Sequence, residues 1–444
     1  MIVAAGMLVA LEGFAMAALT PEEVNQLGGE KLTAVGAEMA GNADGTIPPY
    51  TGGYTKFPAG FDRRKDVLPD PFANEKPLYS ITSKNMTQYT EKLTEATRAL
   101  ITKYPDFRVD VYPTHRTVVM TKSITENTKK SALTAKLEND GKKLTGAVNG
   151  IPFPIPKNGL EAIWNGILHW SAPAEEYTHY QSFVTTGAGR RVLASEGITW
   201  IENPYWGASD AANKDVYCRI DHRASAPPNR NGEGLMWIMK TDKTNGDPAW
   251  QYLPGQRRVK MAPDVSYDTP NTTIAGAATY DDNFIYGGSP DRYDWKILGK
   301  KEIIIPYNSY KLLHHSTPET ALGPHFVNPD FVRWELHRVW AIEGNLKPGT
   351  RHIYSRRIIY LDEDSWVPVM SDQFDNKNQF YRGQFDAFIF NPDTGAPYSS
   401  TYWGHDFVSG VYFFNVFLLG PNLNVTLRPE SAWNPQALAG SGIR

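Results

Sequence analysis

Trp334-Glu335-Leu336-His337-Arg338-Val339-Trp340-Ala341-Ile342-Glu343-Gly344-Asn345-Leu346 is the stretch that decides how the chain is read. Trp334, Leu336, Trp340, Ile342 and Leu346 alternate with Glu335, His337, Glu343 and Asn345. That period of two belongs to a strand with one buried face and one wet face. Leu346-Lys347-Pro348-Gly349 turns the chain, and residues 351–361 return it. Asp362-Glu363-Asp364 turns it again into 366–374, and Asp375-Asn376-Lys377-Asn378 leads into 380–390. Connections this short join antiparallel neighbours, so the pattern predicts a long antiparallel meander. Arg338, Arg356, Arg357 and Arg382 interrupt both faces. A packed core does not accept such charges unpaired. The expectation is therefore a curved sheet with one partly open, aromatic-lined face.

Outward from the meander, strands are predicted at 181–186, 190–201, 215–225, 233–241, 250–261 and 302–305. Thr20-Pro21-Glu22-Glu23 reads as a capped helix start. Residues 85–104 carry a helical stripe of Met86, Tyr89, Leu93, Ala96 and Leu100, which Pro105 stops. Residues 36–61 read as an extended arm, and 126–144 as a loose helix or loop. In Ile151-Pro152-Phe153-Pro154-Ile155-Pro156 the alternating prolines exclude helix. Asn158 then caps a helix whose stripe is Leu160, Ile163, Trp164 and Ile167. Asn165 is expected to tie down the polar backbone of the proline segment.

A content of 41% hydrophobic and 21% charged residues describes a globular protein, and 45 basic against 48 acidic residues leave no footprint for nucleic acid. Residues 1–17 read as an export signal: an apolar run from Ile2 to Leu11, then Ala15-Met16-Ala17 as a small-x-small cleavage site. No Lys or Arg precedes the run, and Glu12 interrupts it. The run is shorter than the ~20 residues a bilayer span needs. The single cysteine, Cys218, has no internal disulfide partner and reads as a buried, inert thiol. The expected location is the Gram-negative periplasm, after cleavage near Ala17.

His314, His315, His325 and His337 lack the short convergent spacing of a zinc site and read as surface or loop histidines. Asp281-Asp282 and Asp362-Glu363-Asp364 lack the twelve-residue calcium pattern and read as turn residues. Trp403-Gly404-His405-Asp406 has no Gly-x-Ser-x-Gly elbow to complete a hydrolase site. No catalytic residue, cofactor or metal is expected. In Gly255-Gln256-Arg257-Arg258, adjacent strand positions face opposite ways, so Arg258 is a candidate for an inward cation.

Several runs are distinctive together: Gly41-Asn42-Ala43-Asp44-Gly45-Thr46-Ile47-Pro48, Gly150-Ile151-Pro152-Phe153-Pro154-Ile155-Pro156 with Glu161-Ala162-Ile163-Trp164-Asn165, Trp250-Gln251-Tyr252-Leu253-Pro254-Gly255-Gln256-Arg257-Arg258-Val259, and Gly299-Lys300-Lys301-Glu302 with Pro306-Tyr307-Asn308. On these runs the chain resembles the family of domain of unknown function 1329, over essentially the whole mature sequence. That family is similar to outer-membrane lipoprotein-sorting proteins. The resemblance implies a strongly bent antiparallel sheet around helices, with an apolar cavity. It also implies neighbours among outer-membrane proteins and inner-membrane export pumps. It supplies no catalytic residues.

The combined expectation is a mainly β (α+β) protein, a half-open barrel-like sheet wrapped around a few helices. Residues 1–17 would be the signal, 18–80 an arm with a short helix, and 81–444 one lipoprotein-carrier-like domain. The expected function is non-catalytic binding and carriage of a lipid or similar hydrophobic molecule between inner and outer membranes. The alternatives are a hydrolase acting on lipid or glycan, and a structural accessory of an outer-membrane protein or export pump. Trp340, Tyr354, Trp366, Phe380, Trp164 and Arg258 are the candidate cavity lining. Burial is worth about 0.8 kcal/mol per CH₂, so an acyl chain needs no specific polar contact to be held.

Overall fold

The alternating run forms the strand its period requires, Trp334–Leu346. In the computed structural model, which describes residues 19–56, 61–62, 67–207, 215–262, 265–392 and 395–440, this strand is the spine of a 16-stranded sheet. The export-signal reading of residues 1–17 lies outside the described residues. Tyr293–Pro306 pairs with the spine along its whole length, and Arg356–Asp362 pairs with its other edge. The sheet then continues through Pro368–Phe374, Phe380–Asp386, Tyr402–Asp406 and Tyr412–Leu418. Beyond these come Ala174–Thr185, Arg191–Glu202, Val216–Ala226, Gly234–Lys240, Ala249–Leu253 and Arg258–Met261. The ladder from Val109–Tyr112 to the spine is parallel; the ladders of the meander and of these later strands are antiparallel.

Two contacts show how strongly the sheet bends. Arg356–Asp362 and Gly234–Lys240 are eight strand spacings apart in the sheet order, roughly 38 Å if the sheet were flat. Yet Tyr280 meets Trp237 of one strand, with ring centroids 6.4 Å apart, while Asp282 meets Arg357 of the other at 2.8 Å. Neighbouring side chains of one loop cannot span a flat sheet, so the two halves curl toward each other. No ladder joins Arg258–Met261 to Tyr293–Pro306 among the described residues, and the sheet stays half open.

Helices cover both faces. Gly159–Ile167 lies on the inner face, with Asn158 capping it as expected. A Cβ at Gly159 would come within 2.4 Å of the Lys296 backbone nitrogen, so glycine is what lets the helix start touch the edge strand. Asn165 Nδ2 donates to Phe153 O at 2.7 Å, and its Oδ1 accepts from Phe153 N at 2.9 Å, which ties down the proline segment. On the outer face sits Glu95–Lys103, whose first amides, Glu95 N and Ala96 N, donate to Asp372 at 3.0 and 2.9 Å. The stripe expected over 85–104 is broken: Met86–Lys92 is 3-10 helix, and Thr94 caps a fresh α-helix. Of residues 126–144, read as a loose helix or loop, 126–134 belong to the regular helix Lys122–Thr134, capped by Thr121.

Candidate functional site: a plugged hollow on the inner face

Residues 265–292 connect Arg258–Met261 to Tyr293–Pro306 and run across the inner face. They hold only three short 3-10 turns, Thr272–Ile274, Tyr280–Asp282 and Pro290–Arg292. A connection this long without regular structure is uncommon in a compact fold, being either functional or a linker segment. Its anchor is a buried charge cluster. Arg357 donates to Asp281 Oδ2 at 2.7 Å and to Asp282 Oδ1 at 2.8 Å. Gln373 Nε2 and Tyr354 Oη also donate to Asp282, both at 2.8 Å. His352 Nδ1 accepts from the Tyr354 amide, which leaves Nε2–H to donate to Asp281 at 3.0 Å. Burial opposes ionisation of both carboxyls. At Asp281 the Arg357 charge and the His352 hydrogen bond outweigh it and hold the carboxyl well below its usual range, whereas burial and the Asp281 charge push Asp282 up. The arginines that interrupt the meander are thus paired: Arg382 reaches Asp406 at 3.3 Å, Arg356 reaches Glu343 at 3.3 Å, and Arg338 lies 3.7 Å from Glu363.

Between this loop and the sheet lie two small cavities, of about 50 and 60 Å³. Each has room for a few waters, not for an acyl chain. The first is lined by Ile201, Trp206, Tyr217, Met239 and Tyr286; the second by Tyr177, Ile220, Leu235, Trp237 and Tyr280. Ile201, Ser400 and Phe284 line both. Of these three, Phe284 is the one that the loop supplies. Its backbone is strained: Phe284 has φ +56° and Ile285 φ +66°. Left-handed backbone at a bulky and then a β-branched residue costs of order 1–3 kcal/mol each.

Polar side chains are part of both linings: His169, Glu175, Asn203 and Ser399 in the first cavity, Thr199, His222, Asn271 and Asn415 in the second. Tyr217 Oη is buried without a hydrogen-bond partner. His169 Nε2 lies 3.2 Å from Ser399 Oγ, and its Nδ1 lies 2.7 Å from Gly166 O. Burial pushes His169 down to about 4, so the imidazole is neutral at pH 7. A base that weak is poorly matched to activating a serine near neutrality. Burial pushes the Cys218 thiol up to about 12, which keeps it protonated and inert. The second cavity is mainly apolar, whereas the first is mixed, with apolar and polar side chains in similar share.

The residues singled out in the sequence are scattered. Trp164 is fully buried on the inner helix and donates to Gly141 O at 2.9 Å. Trp366 is fully buried, donates to Val35 O at 2.9 Å, and stacks on Trp340 at 5.7 Å. Tyr354 belongs to the charge cluster, and Phe380 packs on Phe374 and Phe407. Arg258 is exposed on the edge strand Arg258–Met261, and Arg257 before it is in a left-handed cap, not a strand. None of the six lines either cavity. The lining residues Ile201, Tyr217, Met239 and Phe284 were not singled out; their alternation reads as ordinary strand core, and Phe284 sits in a loop without periodicity.

One expectation is corrected on the outer face. His337 is on the spine strand but buried, not on a wet surface, because Tyr307 stacks on it at 3.8 Å and Glu335 Oε2 lies 3.0 Å from its Nε2. With Asp362 and Asp364 it forms the one group of His, Cys and carboxylate side chains among the described residues close enough to hold a metal ion.

Comparison with known proteins places the chain. The model of the family described as "Protein of unknown function (DUF1329)" matches residues 80–439. The chain belongs to the DUF1329 family. An uncharacterized protein of Pseudomonas aeruginosa, PA3922, is 38% identical over 442 residues, covering 97% of this chain and 95% of that one. A DUF1329 family protein from Desulfovibrio piger is a solved structure with TM-score 0.43 and 13% identity, covering 60% of this chain and 92% of its own. A putative outer membrane lipoprotein-sorting protein domain from Vibrio parahaemolyticus gives TM-score 0.42 at 13% identity, over 60% and 91% of the two chains. For a LolA superfamily protein from Nitrosomonas europaea the values are 0.37 and 8%, over 63% and 98%. No helix among the described residues of this DUF1329 protein is long and apolar enough to cross a membrane.

Proposed function

We propose that this protein is a non-catalytic carrier that takes up an apolar molecule, such as a lipid acyl chain, between the inner face of its sheet and the loop 265–292. One observation carries this reading. Two small cavities under the loop share the Phe284 side chain as lining, and that residue sits on strained backbone. Swinging Phe284 out enlarges both. Exposing a Phe costs about 1.5–3 kcal/mol, and ten buried CH₂ groups return roughly 8 kcal/mol. Release of backbone strain adds to the gain. The cargo would move between inner and outer membranes of a Gram-negative envelope, with handover partners at each, an inner-membrane export pump and an outer-membrane protein. The export-type stretch read in the sequence motivates that placement.

Native mass spectrometry of the full chain, followed by titration with a fluorescent long-chain fatty acid, tests it. Co-purified lipid or saturable uptake is expected. A clean apo mass with no uptake contradicts it. The hydrolase alternative rests on the Ser399–His169 contact. Ester hydrolysis that disappears in Ser399→Ala would favour it over carriage.

A further inference from the structure

We propose that His337, Asp362 and Asp364 form a binding site for one divalent transition-metal ion, of which zinc is the best fit. The site is on the face of the spine strand opposite the hollow: Gly344 pairs with Arg357, which anchors the loop, and His337 lies an odd number of positions from Gly344. It does not depend on the carrier reading.

The three residues each offer a ligand atom, and these atoms lie within 4.8 Å of one another. Zinc bonds to imidazole nitrogen and carboxylate oxygen are about 2.0–2.2 Å in a tetrahedral shell, so donor atoms around one ion sit roughly 3.4 Å apart. Side-chain rotation closing the widest pair by up to about 1.4 Å brings the three onto one ion. An imidazole with two carboxylates is a zinc-type donor set.

A second, independent observation points to a missing partner. Asp362 is 0% exposed, and its Oδ1 has no hydrogen-bond partner. Its Oδ2 accepts from Ser365 Oγ at 2.6 Å and from Tyr307 Oη at 3.3 Å. A buried carboxylate oxygen left alone is costly, and a cation would satisfy it.

The surroundings also match what orients metal ligands. A ligating histidine ordinarily hands its other ring N–H to a carboxylate. His337 Nε2 already faces Glu335 Oε2 at 3.0 Å, leaving Nδ1 for the ion. Glu335 is itself fixed by Arg333 at 2.5 Å, Asn308 Nδ2 at 3.0 Å and the His115 amide at 2.8 Å. Arg116 holds Asp364 through Nε at 2.9 Å and Nη2 at 2.6 Å. A carboxylate has about four lone-pair sites, so this grip leaves room for an ion. Asp364 also lines an open cleft of about 300 Å³ with Thr33, Val35, Met39 and Tyr50, a route from solvent.

The test uses the full chain, dialysed against EDTA and titrated with zinc sulfate. Bound zinc is counted by native mass spectrometry, and Tm is followed alongside. Wild type is expected to bind one more zinc than Asp362→Asn and to gain Tm, with the variant's Tm unmoved. Glu335→Gln is expected to weaken zinc binding by about 10–100-fold, an effect that a purely structural glutamate would not produce. Equal zinc counts in wild type and Asp362→Asn overturn the proposal. So does a wild-type Tm that zinc leaves unchanged, which decides the matter even where a variant fails to fold.

Discussion

Arg357 and Asp282 meet 2.8 Å apart with neither side chain exposed to solvent, although 75 residues separate them in the chain. The pair fastens the loop 265–292 to the strand Arg356–Asp362. A buried ion pair adds little net stability over an apolar pair, but removing one partner strands the other. Arg357→Ala leaves both Asp281 and Asp282 without their cation. It is expected to cost about 3–5 kcal/mol, read as a loss of midpoint in urea unfolding with little change in slope. A cost below about 1 kcal/mol would mean that the cluster does not fasten the loop.

Phe284→Ala removes a ring that lines both cavities. A lone truncation of a half-buried ring is expected to destabilise by a few kcal/mol or less. Uptake of a fluorescent fatty acid should at the same time become tighter, by several-fold in Kd. Unchanged affinity would place any guest elsewhere.

Asn165→Ala takes both hydrogen bonds from Phe153, on buried backbone. Two stranded polar groups are expected to cost roughly 2–3 kcal/mol. Thermal unfolding checks this, and Asn165→Asp should be worse than neutral as well, because the Phe153 carbonyl loses its donor.

Three buried histidines make the protein acid-sensitive. Burial pushes His169 down to about 4, and His222 and His405 each to about 3. Their unfolded value is about 6.5, so between there and the folded values the unfolded chain binds more protons. Stability from these groups is present above pH ~6.5 and is lost as pH falls. At pH 5 each removes about 2 kcal/mol. His222→Gln should flatten the dependence of unfolding free energy on pH between 6.5 and 5 by one proton. An unchanged slope would show that His222 is already charged when folded.

The meander was legible because alternation and turn residues carry it. The spine Trp334–Leu346 has the bounds its period gives. The return strand, read from 351, begins at Arg356 instead. His352 and Tyr354 are drawn off to Asp281 and Asp282, and nothing local in the sequence records that pull. For the same reason the arginines were read as signs of an open face. Their counterions lie in other segments, and Asp281-Asp282 on its own looks like any acidic turn. His337 and the Asp362 turn were each visible, but only the pairing of Val339 with Asp362 across the ladder puts them together. Strand periodicity shows which side chains share a face; it says nothing about which loop crosses that face.

The most direct measurement is site mapping with a photoreactive fatty acid carrying a diazirine on its chain, followed by peptide mass spectrometry. Labels are expected on Ile201, Tyr217, Met239 and Phe284, and should fade when unlabelled fatty acid competes. Labels confined to exposed loops, or none that compete, would contradict a guest held between sheet and loop.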